Sequence, residues 1–230
     1  AAQQFTDFQF DQLEDFGVVD QVDIDGWDEP ALGEWCVRDL TGHTYRAFTT
    51  ILSYSDKPAE KIELERPVDY FLKAFESLAD PKMVAERGRA AGLEIIDDPK
   101  MMVRGFAMYV KNKLEELSDD HIMGTPVGGI RLIDYLPTRT FELIIHTMDL
   151  AKAVGVDPRA NGKVVTLGAL RMLHGLCATG FEKGFNAFGT PYCGYECDGF
   201  AETLQDPSLQ GSIDACLTEI AAESPEILEY

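Results

Sequence analysis

The run RTFELIIHTMDL over residues 139–150 sets a carboxylate, Glu142, and an imidazole, His146, four residues apart inside an apolar helical pattern. Side chains at that spacing share one helix face. Facing inward together, each costs desolvation energy unless a partner satisfies it, and a divalent cation satisfies both at once. The expectation is a metal site. A catalytic zinc usually has three protein ligands and keeps one position for water or substrate, so a third ligand must come from another element. Among the remaining histidines, His43 lies in an amphipathic pattern that puts Leu40, His43, Ala47 and Ile51 on one stripe. His121 falls in a loop and His174 on a later helix, which makes both weaker candidates.

The elements that would carry these side chains are helical. Residues 37–54 read as the helix bearing His43, and a looser helical period over residues 5–23 precedes it, weakened by Gly17. Residues 68–91 read as a long amphipathic helix with a break at Asp80-Pro81, because the residue before proline disfavours helix. Asp98 as N-cap and Pro99 at the first helical position start another helix, running to about residue 117. Residues 118–130, rich in glycine, read as a loop. The motif helix is expected to start with Asp134 as cap, which puts Pro137 in the first turn, and to stop at Gly155. No alternating strand stands out, so the fold class is mainly α, an antiparallel helical bundle over residues 1–157. Residues 158–230 form a C-terminal extension, with helices over 164–185 and 213–222 and a Gly-, Cys- and Tyr-rich loop between them.

Composition narrows the partners. Of 230 residues, 40 are Asp or Glu and 20 are Lys or Arg, so the formal net charge of −20 repels a phosphate backbone and argues against nucleic acid. Solubility accounts for this acidity more simply than an acidic binding surface does. The most apolar run, residues 164–181, is interrupted by Arg171 and His174, so no membrane span is expected. The first residues lack the basic start and apolar stretch of a signal peptide, and Cys36, Cys177, Cys193, Cys197 and Cys216 make an odd, scattered set. A cytoplasmic protein with reduced thiols is the expectation. Cys193 and Cys197 are spaced too loosely for a zinc ribbon and no second pair follows. The GTPVGG run over residues 124–129 lacks the lysine of a phosphate loop and reads as a turn.

Taken together, WCVRDLTGH over residues 35–43, GIRLIDYL over 129–136 and RTFELIIHTMDL over 139–150 resemble the mycothiol-dependent maleylpyruvate isomerase family, within the wider DinB-like group of metal-binding four-helix bundles. The resemblance covers roughly residues 26–155. It implies a divalent ion on His43, Glu142 and His146, with water or a low-molecular-weight thiol in the remaining position. Arg139, at the family's arginine position, would line or brace the site as its candidate catalytic residue, or form a salt bridge to Asp134 or Glu142. Asp39 and Asp149 would order helices or orient ligands. With two imidazoles among three ligands, zinc suits the set better than magnesium, and nickel is the next candidate.

The implied chemistry is activation of a mycothiol-like thiol for isomerisation of, or transfer to, an electrophilic small molecule. An isomerase and an S-transferase then differ only in whether the thiol adduct collapses. The chain departs from the family in its C-terminal portion, where the isomerases contribute basic residues. Residues 184–230 contain nine Asp or Glu and no Lys or Arg. Two other readings compete: a hydrolase in which metal-bound water attacks directly, and a non-catalytic metal-binding bundle with a stress or regulatory role.

Overall fold

The computed structural model describes residues 17–78 and 80–156 of the chain. These residues are mainly helical: α1 (Gly17–Gln21), α2 (Val37–Ser55), α3 (Pro67–Leu78), α4 (Pro81–Glu94), α5 (Pro99–Glu116) and α6 (Leu132–Val154). The expected helices over 164–185 and 213–222, the Cys193 and Cys197 pair and most of the helix expected over 5–23 lie outside the described residues, as does the extension from residue 158 onward. No helix of the described residues is long and apolar enough to cross a membrane.

Local chemistry explains where the helices begin and end. The Asp39 carboxylate accepts the Cys36 backbone N–H at 3.3 Å and caps α2. Asp80 accepts from the backbone N–H groups of Lys82 and Met83 at 3.0 and 3.1 Å, so the expected break separates α3 from a newly capped α4. Asp98 caps α5 through the Met101 N–H at 3.0 Å, with Pro99 in the first turn, as its sequence predicts. At the end of α6, Gly155 takes the left-handed conformation (φ 71°), and the Val156 N–H bonds back to the Ala151 carbonyl at 3.0 Å.

Two expectations need correcting. The described residues contain two short antiparallel hairpins, β1 (Pro30–Leu32) with β2 (Trp35–Cys36), and β3 (Ile122–Thr125) with β4 (Gly128–Arg131). The stretch read as a loop therefore contains a hairpin, whose turn is Pro126-Val127 and whose register pairs Ile122 with Arg131 and Thr125 with Gly128. Its glycines admit a neighbouring backbone: a Cβ on Gly129 would lie 2.1 Å from the Lys61 carbonyl oxygen. The second correction is the start of α6. It begins at Leu132, not after Asp134, because the Leu132 and Ile133 N–H groups bond to the carbonyls of His121 and Asp119 at 2.8 and 3.1 Å. Asp134 serves instead as an acid in the first turn, paired with Arg131 Nε at 2.6 Å, and Pro137 lies inside the helix.

α2 packs against α4, α5 and α6, and α3 packs against α6. Two apolar clusters result. The larger gathers Tyr45, Phe48, Phe71, Val110, Met123, Ile130, Tyr135 and Leu136. The smaller gathers Trp27, Trp35, Val37, Leu40, Val84 and Leu150. α2 and α6 contribute to both, so polar side chains on their facing surfaces stand between two packed regions that hold them still.

Candidate metal centre

His43 from α2 and Glu142 and His146 from α6 converge. One ligand atom from each of the three lies within 4.8 Å of the other two, making them a group able to hold a metal ion. The two segments that provide them are about a hundred residues apart in sequence and meet because α2 packs on α6.

Each donor is prepared for coordination. His146 is 8 % exposed, and its Nδ1 lies 3.0 Å from Asp149 Oδ2. A carboxylate oxygen accepts, so Nδ1 carries the hydrogen and Nε2 is left to face the site. That Nε2 stands 3.4 Å from Glu142 Oε2. His43 lies against Trp35, with ring centroids 4.6 Å apart, and edge-on to His146 at 4.7 Å. Trp35 is itself fixed by donation from its indole Nε1 to the Ala85 carbonyl at 3.0 Å. His43 Nδ1 is buried without a hydrogen-bond partner among the described residues. An unpartnered buried imidazole nitrogen is costly on its own and suits a Lewis acid. The donor set therefore fits a divalent ion of the zinc type: two imidazoles and a carboxylate, one imidazole oriented from behind by Asp149.

Electrostatics divides the two histidines. Burial, reinforced by the charges of His146, Arg46 and Arg139, pushes His43 down to about 3, so it is neutral near pH 7. For His146, burial acts downward but is outweighed by the Asp149 and Glu142 carboxylates, which lift it to about 9. Burial would raise Glu142, yet its hydrogen bond to His146 and the charges of Arg139 and His43 bring it down to about 2. In the metal-free protein His146 is thus an imidazolium between two carboxylates. Its folded value lies above the unfolded 6.5, so its contribution to stability is full below pH 6.5 and is lost as pH rises through about 9.

Two outcomes follow for metal binding. An ion must displace the His146 Nε2 proton while Glu142 and His43 have none to give, so close to one proton is released per ion at pH 7, and affinity climbs as pH rises toward 9. Calorimetric titration in buffers of different ionisation enthalpy measures this, and an observed heat independent of buffer would contradict it. Replacing Asp149 with Asn keeps the shape but removes the charge behind Nδ1. Metal affinity should then fall by about 10- to 100-fold, measured by chelator competition; unchanged affinity would remove Asp149 from the site.

The other sequence candidates are placed as follows. Asp39 caps α2, and Asp149 orients His146. His121 is outside the centre, with Nε2 2.9 Å from the Ser55 carbonyl, and His174 lies outside the described residues. Arg139 is only 7 % exposed and makes no ion pair with Asp134 or Glu142. Its guanidinium instead lies over the rings of Tyr70 and Tyr135, at 5.2 and 4.8 Å from their centroids, and Nε donates to Thr138 Oγ1 at 2.9 Å. These tyrosines were not among the sequence candidates. Tyr135 was accessible from its place four residues before Arg139 on one helix face, but nothing local marks Tyr70.

Comparison with family models, with curated proteins and with solved structures returned no match.

Proposed function

We propose that this protein is a divalent-metal-dependent enzyme that activates a low-molecular-weight thiol, mycothiol-like, for isomerisation of or transfer to an electrophilic small molecule. In this reading the helices form a DinB-like antiparallel four-helix bundle and the chain belongs with the mycothiol-dependent maleylpyruvate isomerases. The observation that carries it is the meeting of His43, Glu142 and His146 within 4.8 Å, three ligands being the number with which a catalytic zinc keeps a position for substrate. The packing of α2 on α4, α5 and α6 supports the bundle. The Glu142 side chain, 27 % exposed, supports access from solvent.

A divalent ion held by these residues would be zinc or nickel and would lower the pKa of a bound thiol toward neutrality. The chain's own contribution is to hold that ion in one geometry. His43 arrives neutral and wedged against Trp35, while Asp149 prevents the His146 ring from turning. An adduct that eliminates the thiol gives isomerisation, and one that persists gives transfer.

Protein loaded with zinc, supplied with a thiol and either a cis-configured activated alkene or an aryl halide, is expected to turn over one of them only when thiol is present. The rate should vanish with a chelator. Turnover at the same rate without thiol would replace this reading with that of a hydrolase, and no turnover with a full complement of metal would leave a binding protein.

A further inference from the structure

We propose that Arg139 is the anion-holding residue of this centre, sharing with the bound metal one small anion, a thiolate or a carboxylate, that neutralises its otherwise uncompensated guanidinium. The inference rests on the metal-site reading above. Four observations lead to it. Arg139 is buried, yet among the described residues no carboxylate pairs with it, since Asp134 is engaged by Arg131 and Glu142 is beyond ion-pair distance. Its Nη2 is buried with no acceptor among the described residues. The guanidinium lies over the Tyr70 and Tyr135 rings, 5.2 and 4.8 Å from their centroids. Finally, Arg139 lies one turn before Glu142 on α6, on the helix face that carries Glu142.

A desolvated cation with a free donor is expensive to retain, and stacking on tyrosine faces satisfies the ring of charge but not the N–H groups. Those donors form a planar fork suited to an anion. With a divalent ion on two neutral imidazoles and one carboxylate, the centre and Arg139 together have a net positive charge, so an anion is the group that this place favours. Thiolate and carboxylate both meet the requirement, the first from a thiol cofactor and the second from a substrate.

The test uses full-length protein loaded with cobalt(II), whose visible spectrum reports on its ligands, titrated separately with 2-mercaptoethanol and with acetate. Wild type should bind at least one of the two with a change in the cobalt bands, and the probe that binds names the source. Arg139→Met should weaken that binding by about tenfold or more, the loss of one charge-assisted contact, while still taking up one cobalt per chain. Arg139→Lys keeps the charge but loses the planar fork, so it should bind the anion more weakly than wild type by about threefold or more. Equal anion affinity in wild type and Arg139→Met would overturn the inference with the metal site intact. If Arg139→Met does not fold, an Arg139→Lys variant with full cobalt and the anion affinity of wild type, or a wild type whose bands ignore both probes, would overturn it equally. A wild type that takes up no cobalt would instead overturn the metal reading itself.

Discussion

His43→Ala is expected to lower affinity for zinc by at least about a hundredfold, more than the loss of an orienting partner costs, while leaving the helical content intact. The reason lies in what the ring does without metal. His43 is neutral, its Nδ1 bonds to nothing among the described residues, and its one face rests on Trp35. Removing it deletes an unsatisfied polar atom along with some packing, so the apo fold gives up little. The metal loses one of three ligands and the only one contributed by α2. His146→Ala should cause a comparable loss of affinity, and it also strands Asp149 and Glu142 without their cation, so its apo form should melt lower than that of His43→Ala. Chelator competition with circular dichroism separates the two effects. Full metal occupancy in both variants would exclude the proposed ligands.

Gly42→Ala, one residue away, should do the reverse and strike the fold first. A Cβ there would sit 2.2 Å from the Gly92 backbone nitrogen and 2.5 Å from the Ala91 carbonyl carbon. No flexible side chain stands in the way that could yield, so α2 and α4 must move apart along a buried contact. The expected destabilisation is about 3 kcal/mol, or roughly 6–12 °C in melting temperature for a domain of this size. Gly105→Ala is the control: its Cβ meets nothing within 4 Å in the middle of α5, so the change should stabilise by about 0.5–1 kcal/mol through helix propensity alone. A Gly42→Ala protein melting within about 2 °C of wild type, well under that estimate, would show that the helices are not in backbone contact.

Much of this arrangement could be read from the chain because the signals are local. The i, i+4 spacing of Glu142 and His146, the stripe carrying Leu40 and His43, and the Asp-Pro pairs that open α4 and α5 each depend on residues within one or two turns. Its amphipathic stripe singled out His43 among the remaining histidines as the third ligand, and the packing of α2 on α6 brings it there. What escaped depends on distant partners. The β3–β4 hairpin is hidden because Gly124 and Gly129 read as breakers, whereas their missing side chains make room for the backbone of Lys57 and Lys61. The start of α6 shifted because carbonyls from Asp119 and His121, in the preceding loop, satisfy its first N–H groups. Arg139 offered a salt bridge on paper, but tertiary packing gave it aromatic faces, and only three-dimensional contact with Tyr70 reveals that.

The most direct measurement is X-ray absorption at the metal edge of protein purified without a histidine tag and reconstituted with one equivalent of zinc. The account predicts a tightly bound ion with nitrogen and oxygen neighbours at about 2.0–2.1 Å and the outer-shell pattern of two imidazoles. A protein that returns its zinc to a weak chelator, or a shell dominated by sulfur at about 2.3 Å, would contradict it.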